Sequence, residues 1–270
     1  MIIGSREFKL NSRPFIMGIL NMTPDSFSDG GTNDTVSKAL KHVEDMVESG
    51  ADIIDVGGES TRPGHTPVSV SEEIDRTCNI IEQIKQNFDI PVSLDTYKPE
   101  VFEAGIKAGI DMINDIWGFK SDDRMAQLAA QSGVACCLMH NRQDNVYRDF
   151  VTDVINDMRE CVELALLAGV DRDKIILDPG IGFAKDTNQN LIMLNNLEAL
   201  VALGYPVLLG TSRKSVIGNT LNLPVTEREE GTIATSVLGY MKGCDFFRVH
   251  DVKANARALR MTDSIMKSGR

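Results

Sequence analysis

The sequence contains no run of apolar residues near the roughly 20 that cross a bilayer. Its opening stretch, MIIGSREFKL, lacks the long apolar core of an export signal. A cytoplasmic location away from membranes is therefore expected. Positive charge is scarce: 28 Lys and Arg face 39 Asp and Glu, a net charge of −11. A broad nucleic-acid surface needs a clustered basic face, so nucleic acid is not an expected partner. Cysteines are few and odd in number, and Cys78, Cys136, Cys137, Cys161 and Cys244 contain no C-x-x-C pair. Adjacent Cys136 and Cys137 would point to opposite sides of a strand, and all five read as reduced packing residues. Glycine (22) and proline (9) show no low-complexity bias.

What remains is an ordinary soluble composition over 270 residues, enough for a sizeable core and for one large α/β domain spanning 1–270. Short apolar runs bounded by polar or glycine residues recur along it. They are FIMGIL (15–20), DIIDVG (52–57), PVSLD (91–95), DMINDI (111–116), VACCLM (134–139), KIILD (174–178), PVLLG (206–210) and DFFRVH (245–250). Helical spacing lies between them, as in Val36, Ala39, Leu40, Val43, Met46 and Val47, and again in Val151, Val154, Ile155, Met158, Cys161, Val162 and Ala165. Ser69-x-x-Glu72 and Thr226-x-x-Glu229 look like capping boxes opening two further helices. Eight aliphatic strands alternating with helices predict a parallel sheet buried on both faces, closed into a (β/α)8 TIM barrel, with an open doubly wound sheet as the competitor.

The position of the unusual residues favours the barrel. Asn21, Asp55, Asp95, Asn114, Asp115, His140, Asp178, Ser212 and His250 all fall at or near C-terminal strand ends, the rim on which barrel active sites are built. The segments 21–34 and 59–71 exceed the usual strand-to-helix length of about 2 to 6 residues and read as long, mobile loops.

Asp95, Asn114 and Asp178 are expected to converge on the barrel axis. Buried carboxylates need donors, and nothing nearby in the sequence pairs all of them. A flat ligand with several N–H groups would supply those donors, and Asp178 could take an N–C–N edge in the bidentate manner of a carboxylate with guanidinium. Alone, Asp178 could equally cap a helix. On the last strand Arg248 and His250 alternate and share a side. With Asn21, Ser60, Thr61 and Arg62 they could surround an anion such as a diphosphate, since cations desolvated together want a counter-charge; a solvated Arg and a surface His are the alternative. A diphosphate would bring Mg²⁺, for which Asn21 and Asp29 are the candidate ligands.

Eight segments carry a resemblance over nearly the whole chain: MGILNMTPDSFSDGG (17–31), GADIIDVGGESTRPG (50–64), SLDTYKP (93–99), INDIWG (113–118), LMH (138–140), ILDPGIGFAK (176–185), LLGTSRKS (208–215) and RVHDV (248–252). The sequence resembles the dihydropteroate synthase family, the target class of sulfonamides. The resemblance implies condensation of 6-hydroxymethyl-7,8-dihydropterin diphosphate with 4-aminobenzoate to dihydropteroate and diphosphate, by a dissociative displacement. It implies a pterin site of Asp95, Asn114, Ile116, Met139, Asp178, Gly182, Phe183, Lys214 and Arg248. Diphosphate would be held by Asn21, Thr61, Arg248 and His250 with Mg²⁺, and aminobenzoate by Phe27, Thr61, Pro63, Phe183, Lys214 and Ser215. Asp95, Lys214, Asp29 and Arg62 would serve the reaction itself, and a homodimer is expected from the family alone. After LMH many bacterial members continue Met-Gln-Gly-Pro, whereas this chain reads NRQDNVYRDF, so the fifth loop departs from the pattern. Arg213 receives no role.

Three other readings compete. A folate-dependent methyltransferase barrel would share the Asp and Asn clamp but have no use for TPDSFSDGG, STRPG and TSRKS. A Schiff-base aldolase would use Lys214 as nucleophile, which borohydride trapping tests. A catalytically dead binding protein would lack one of the polar residues, and none is missing.

Overall fold

A computed structural model of the chain describes residues 1–22, 32–59 and 67–269. Most of the two long loops, with Phe27, Asp29, Ser60, Thr61, Arg62 and Pro63, lies outside the described residues.

The first element is one the apolar pattern did not predict, a hairpin of β1 (Ile2–Ile3) and β2 (Arg6–Glu7). Two-residue strands are too short to carry a period. The expected eight strands follow: β3 (Phe15–Asn21), β4 (Ile53–Gly57), β5 (Val92–Asp95), β6 (Met112–Asp115), β7 (Ala135–Met139), β8 (Ile175–Asp178), β9 (Leu208–Leu209) and β10 (Phe246–Val249). They form one parallel sheet in the order β8-β7-β6-β5-β4-β3-β10-β9. A bridge from Leu177 to Val207 joins the two ends of this sheet. The outer layer is made by α1 (Thr32–Glu48), α2 (Val70–Asn87), α3 (Pro99–Ala108), α4 (Arg124–Ser132), α5 (Phe150–Ala168), α6 (Thr187–Asn195), α7 (Leu197–Val201), α8 (Ser215–Leu221), α9 (Glu229–Met241) and α10 (Val252–Lys267).

Strand period 2 divides the core in two. Outward positions such as Ile54, Val56, Leu94, Cys136, Leu138 and Phe247 pack under the helices, where α1 presents Ala39, Val43 and Met46 and α5 presents Val154, Met158 and Cys161. Inward positions Phe15, Met17, Ile53, Met112, Cys137, Ile176, Leu208 and Phe246 fill the lower barrel, closed from below by Ile3 and Phe8 of the hairpin region. Cys136 and Cys137 do take opposite sides, and all five cysteines are free thiols.

One of the two expected capping boxes is corrected. Ser69 caps α2 by accepting from the Glu72 N–H. Thr226, however, lies inside a 3₁₀ turn, Val225–Glu227, and α9 starts after Arg228 with no side-chain cap. Pro224 directs the chain into that turn, which moves the helix start beyond the reach of Thr226. The reciprocal box that does form is Asp186 with Gln189, opening α6.

Candidate active site

Moving up the strands on their inward faces, apolar residues give way to polar ones, except on β5, where the lower position is already polar. Ile53 gives way to Asp55 and Gly57, Ser93 to Asp95, Met112 to Asn114, Ile176 to Asp178, and Phe246 to Arg248 and His250. Asp55, Ser93, Asp95, Asn114 and Asp178 are all buried. Register alone brings them together, since Asp55 pairs with Ser93 and Asp95 with Asn114 on neighbouring strands.

Arg248 binds two of these carboxylates. Its Nε donates to Asp55 Oδ2 at 2.6 Å and its Nη2 to Asp95 Oδ2 at 2.7 Å. This revises the expectation that Arg248 needs an anionic ligand as counter-charge, since Asp55, two residues beyond Ile53 on β4, and Asp95 supply it within the chain. The second oxygens, Asp55 Oδ1 and Asp95 Oδ1, are buried with no protein partner among the described residues, as is Ser93 Oγ. Buried acceptors of this kind are costly unless donors reach them. Burial pushes the Asp95 carboxyl up to about 7, against the pull of Arg248 and with the added repulsion of Asp55.

On the opposite wall, Asp178 Oδ1 accepts from the Gly180 N–H at 2.7 Å. That bond belongs to a local turn, since α6 takes Asp186 as its cap. Burial raises Asp178 above the usual carboxylate range, partly offset by Lys214. A Cβ placed on Gly210 would lie 3.5 Å from Asp178 Oδ2, 3.8 Å from Lys214 Nζ and 3.9 Å from Arg248 Cβ, so the three side chains meet over a bare glycine. Lys214 Nζ donates to the Ile181 carbonyl at 2.6 Å and lies 4.9 Å from the Phe183 ring centre. Desolvation lowers its ammonium to about 8, with Asp178 opposing.

The loop from Gly180 to Lys185 forms the wall between these groups and solvent. Gly180, Gly182 and Ala184 have φ of 66°, 87° and 46°; the two glycines adopt this freely, whereas Ala184 holds it only where surrounding bonds fix it. Asn190 supplies one such bond, accepting from the Gly182 N–H at 2.6 Å. Ile116 and Met139 are buried beside the same rim, Met139 as the register partner of Asp178. Ser215, the first residue of α8, is exposed.

At the first and last strands the rim is polar again. Asn21 Oδ1 and Asp95 Oδ2 lie 3.8 and 3.9 Å from where a Cβ on Gly57 would stand, so both border the bare backbone of that glycine. His250 donates its backbone N–H to Ser212 Oγ at 3.1 Å, and its Nδ1 lies 2.9 Å from the same oxygen. Both contacts hold the ring against Ser212, just beyond the end of β9. Arg213 is exposed in a left-handed turn and its carbonyl accepts from Arg228, so it serves the loop. Among the described residues no group of three or more His, Cys, Asp or Glu side chains is arranged to hold a metal.

Comparison with known proteins gives the family. Residues 17–250 match the family described as pterin binding enzyme. A dihydropteroate synthase from Clostridium beijerinckii is 60% identical over 268 residues, covering 99% of this chain and 100% of the relative. The chain belongs to the dihydropteroate synthase family. Another member, from Bacillus subtilis, is 53% identical over 95% of this chain and 90% of its own length. The crystal structure of the Clostridium difficile dihydropteroate synthase in the presence of pteroic acid superposes with a TM-score of 0.94 at 49% identity, covering 97% of this chain and 100% of that one. A Xanthomonas albilineans dihydropteroate synthase in complex with 7,8-dihydropteroate gives 0.88 at 38%, with 95% of each chain covered.

For a dihydropteroate synthase family chain, the residues that sequence reasoning left unassigned are Asp55, Ser93, Lys185 and Asn190. Asp55 and Ser93 had a usable signal, the inward period of β4 and β5. Lys185 and Asn190 had none, because their partners are loop backbone groups and, for Lys185, the side chain of His140, 45 residues away.

Proposed function

We propose that the chain condenses 6-hydroxymethyl-7,8-dihydropterin diphosphate with 4-aminobenzoate, giving 7,8-dihydropteroate and diphosphate. The observation that carries this reading is the gathering of Asp95, Asn114, Asp178, Lys214 and Arg248 at one end of the barrel, with buried acceptor oxygens on Asp55 and Asp95 that have no protein donor among the described residues. Asp178 would take the 2-amino and ring N–H edge of the pterin, and Asn114 and Asp95 the rest of its rim. Lys214 would donate to the ring carbonyl. Ile116, Met139, Gly182 and Phe183 would wall the ring, and Arg248 would lie along its face.

In the reaction, the bond from the exocyclic methylene to the diphosphate oxygen breaks, and diphosphate departs with the electron pair. The positive charge left on the methylene and the conjugated ring would be stabilised by the Asp95 carboxylate. The aminobenzoate nitrogen then attacks and sheds its proton. Asn21, Thr61, Arg248 and His250 would hold the diphosphate; Phe27, Thr61, Pro63, Phe183, Lys214 and Ser215 would border the aminobenzoate. Asp29 and Arg62, with Thr61, Phe27 and Pro63, belong to the loops outside the described residues.

Mg²⁺ fits the donor set available. Near the diphosphate end of the rim Asn21 Oδ1 is available, with no cage of His, Cys, Asp or Glu among the described residues, which suits an ion that keeps several waters and is bound mainly through substrate phosphates. When bound it would neutralise charge on the leaving diphosphate. A second copy of the chain is the proposed partner, supported by exposed Leu238 and Met241 on α9 and Met261 and Ile265 on the adjacent α10.

The test supplies pterin diphosphate, 4-aminobenzoate and Mg²⁺ to the purified protein and measures dihydropteroate and released diphosphate together. Folded protein that makes neither overturns the reading.

A further inference from the structure

We propose that Lys185, backed by His140 and Asp157, is a positioning residue for the pterin site, binding carbonyls of the loop that carries Phe183 and, through Gly180, fixing Asp178 at the end of β8. The inference rests on the functional reading above. Lys185 Nζ donates to the Gly180 carbonyl at 3.0 Å, to the Phe183 carbonyl at 3.0 Å and to His140 Nδ1 at 2.7 Å. Burial lowers the Lys185 amine to about 7, with Asp178 opposing; in its protonated form it has three protons, and each has an uncharged acceptor here. No substrate group needs to touch it.

The tautomer of His140 follows from its other partner. Asp157, held ionised by His140 and Arg142, can only accept, so the ring proton sits on Nε2 and donates to Asp157 Oδ2 at 2.9 Å, which leaves Nδ1 to accept from Lys185. His140 is fully buried, and burial lowers its pKa to about 4, keeping it neutral. Asp157 is held on α5 by Arg142, whose Nε and Nη2 reach its two oxygens at 2.5 and 3.0 Å. The carboxylate thus orients the imidazole, and the imidazole orients the ammonium.

Beyond Lys185, the same loop is bound by its other carbonyls. Lys214 takes Ile181 at 2.6 Å and the Tyr147 hydroxyl takes Ala184 at 2.7 Å. Four carbonyls within five residues each have a side-chain donor. Gly180 transmits the constraint to the pocket, since its N–H binds Asp178 Oδ1 while its carbonyl binds Lys185. A displaced Gly180 therefore turns the Asp178 carboxylate. Arg142 and Tyr147 both come from NRQDNVYRDF, the segment that departs from the family pattern, and the Arg142 guanidinium stacks 4.5 Å over the Tyr147 ring. In this chain the unusual fifth loop is the outer fastening of the pocket wall.

The experiment compares wild type with Lys185→Met, Lys185→Arg and Tyr147→Phe by fluorescence titration with 6-hydroxymethylpterin and by steady-state kinetics. Lys185→Met should weaken pterin binding and raise the pterin diphosphate KM by about tenfold, the loss of roughly one charge-assisted hydrogen bond at the site. Its kcat should stay within about threefold, because Asp95 and Arg248 stand on other strands. Lys185→Arg, which keeps several donors, should recover part of the affinity, and Tyr147→Phe should lose about threefold. Unchanged pterin binding in folded Lys185→Met, a kcat loss as large as the KM rise, or no recovery with Arg overturns the proposal. Should Lys185→Met not fold, unchanged binding in Tyr147→Phe overturns it. Wild type that binds no pterin overturns the functional reading and this inference together, whereas wild-type binding with an unchanged Lys185→Met overturns this inference alone.

Discussion

The lower and upper halves of the barrel interior are built from the same strands and the same face, yet they follow opposite rules. Below, Phe8, Phe15 and Phe246 pack ring against ring, with Phe15 and Phe246 stacked at 5.2 Å. Above, two residues further along each strand, Asp55, Asp95, Asn114, Asp178 and Arg248 occupy equivalent inward positions. An apolar set of similar volume there would be as stable or more so, because desolvating charge is only partly offset by pairing. The lower layer holds the barrel shut, and the upper layer keeps donors and acceptors fixed for something that is not protein.

The sharpest break of that contrast is Phe246→Ala. Removing a fully buried ring from the lower layer should cost about 3–5 kcal/mol of unfolding free energy, read from urea denaturation, while any folded fraction binds a pterin as wild type does. A matching loss of pterin affinity in the folded fraction would show that the two layers are mechanically coupled.

Asp178→Ala makes the reverse statement at the mouth. Losing an ionised partner for the pterin's N–H edge should weaken pterin binding by about 2–3 kcal/mol, roughly a factor of 30 to 150, measured by calorimetric titration. Stability should change by less than about 1 kcal/mol, since the variant discards a buried carboxylate together with one hydrogen bond. A destabilisation comparable to that of Phe246→Ala would mean that Asp178 is a structural residue.

Proton linkage separates the halves again, because only the upper one titrates. Asp95 is raised from its ordinary 3.8 to about 7, chiefly by burial. The folded protein thus keeps a proton that the unfolded chain has already released. Stability from this group is fully present below about pH 4 and is lost as pH rises to about 7. In ligand-free protein the wild-type denaturation midpoint should fall relative to that of Asp95→Asn across this window and run parallel to it above. A constant offset from about pH 4 to 8 would show Arg248 holding Asp95 ionised throughout.

The lower half was the more legible in sequence, and the reason is physical. Period 2 in FIMGIL, DMINDI and DFFRVH reports burial directly, and it also marks where Asp95, Asn114, Asp178 and Arg248 emerge at the rim. It does not report partners. The pairing of Arg248 with Asp55 joins residues 193 positions apart, and no local pattern distinguishes that from a cation awaiting an anion. The loop at Gly180 to Lys185 was harder still, because its fixing bonds run from side chains to carbonyls, which every residue type possesses. Thr226 misled for a related reason: a capping box is a local pattern, and Pro224 had already set the chain turning.

The smallest expected effect places an aromatic ring in each half side by side. Phe183 is partly exposed at the mouth, with Lys214 Nζ 4.9 Å from its ring centre, whereas Phe246 is fully buried. Truncating Phe183 leaves no sealed cavity, so Phe183→Ala should cost under about 1 kcal/mol of stability, far less than its counterpart below. Its ring instead offers an apolar face to the second substrate, and losing it should raise the 4-aminobenzoate KM by about five- to tenfold, the value of one aromatic contact of about 1–1.4 kcal/mol. The pterin KM should move less, since the pterin's polar edge is held by Asp178 and Asn114. Steady-state kinetics varying each substrate in turn provides the check. Equal increases for both substrates would assign Phe183 to the pocket as a whole and remove the distinction between its two ligand faces.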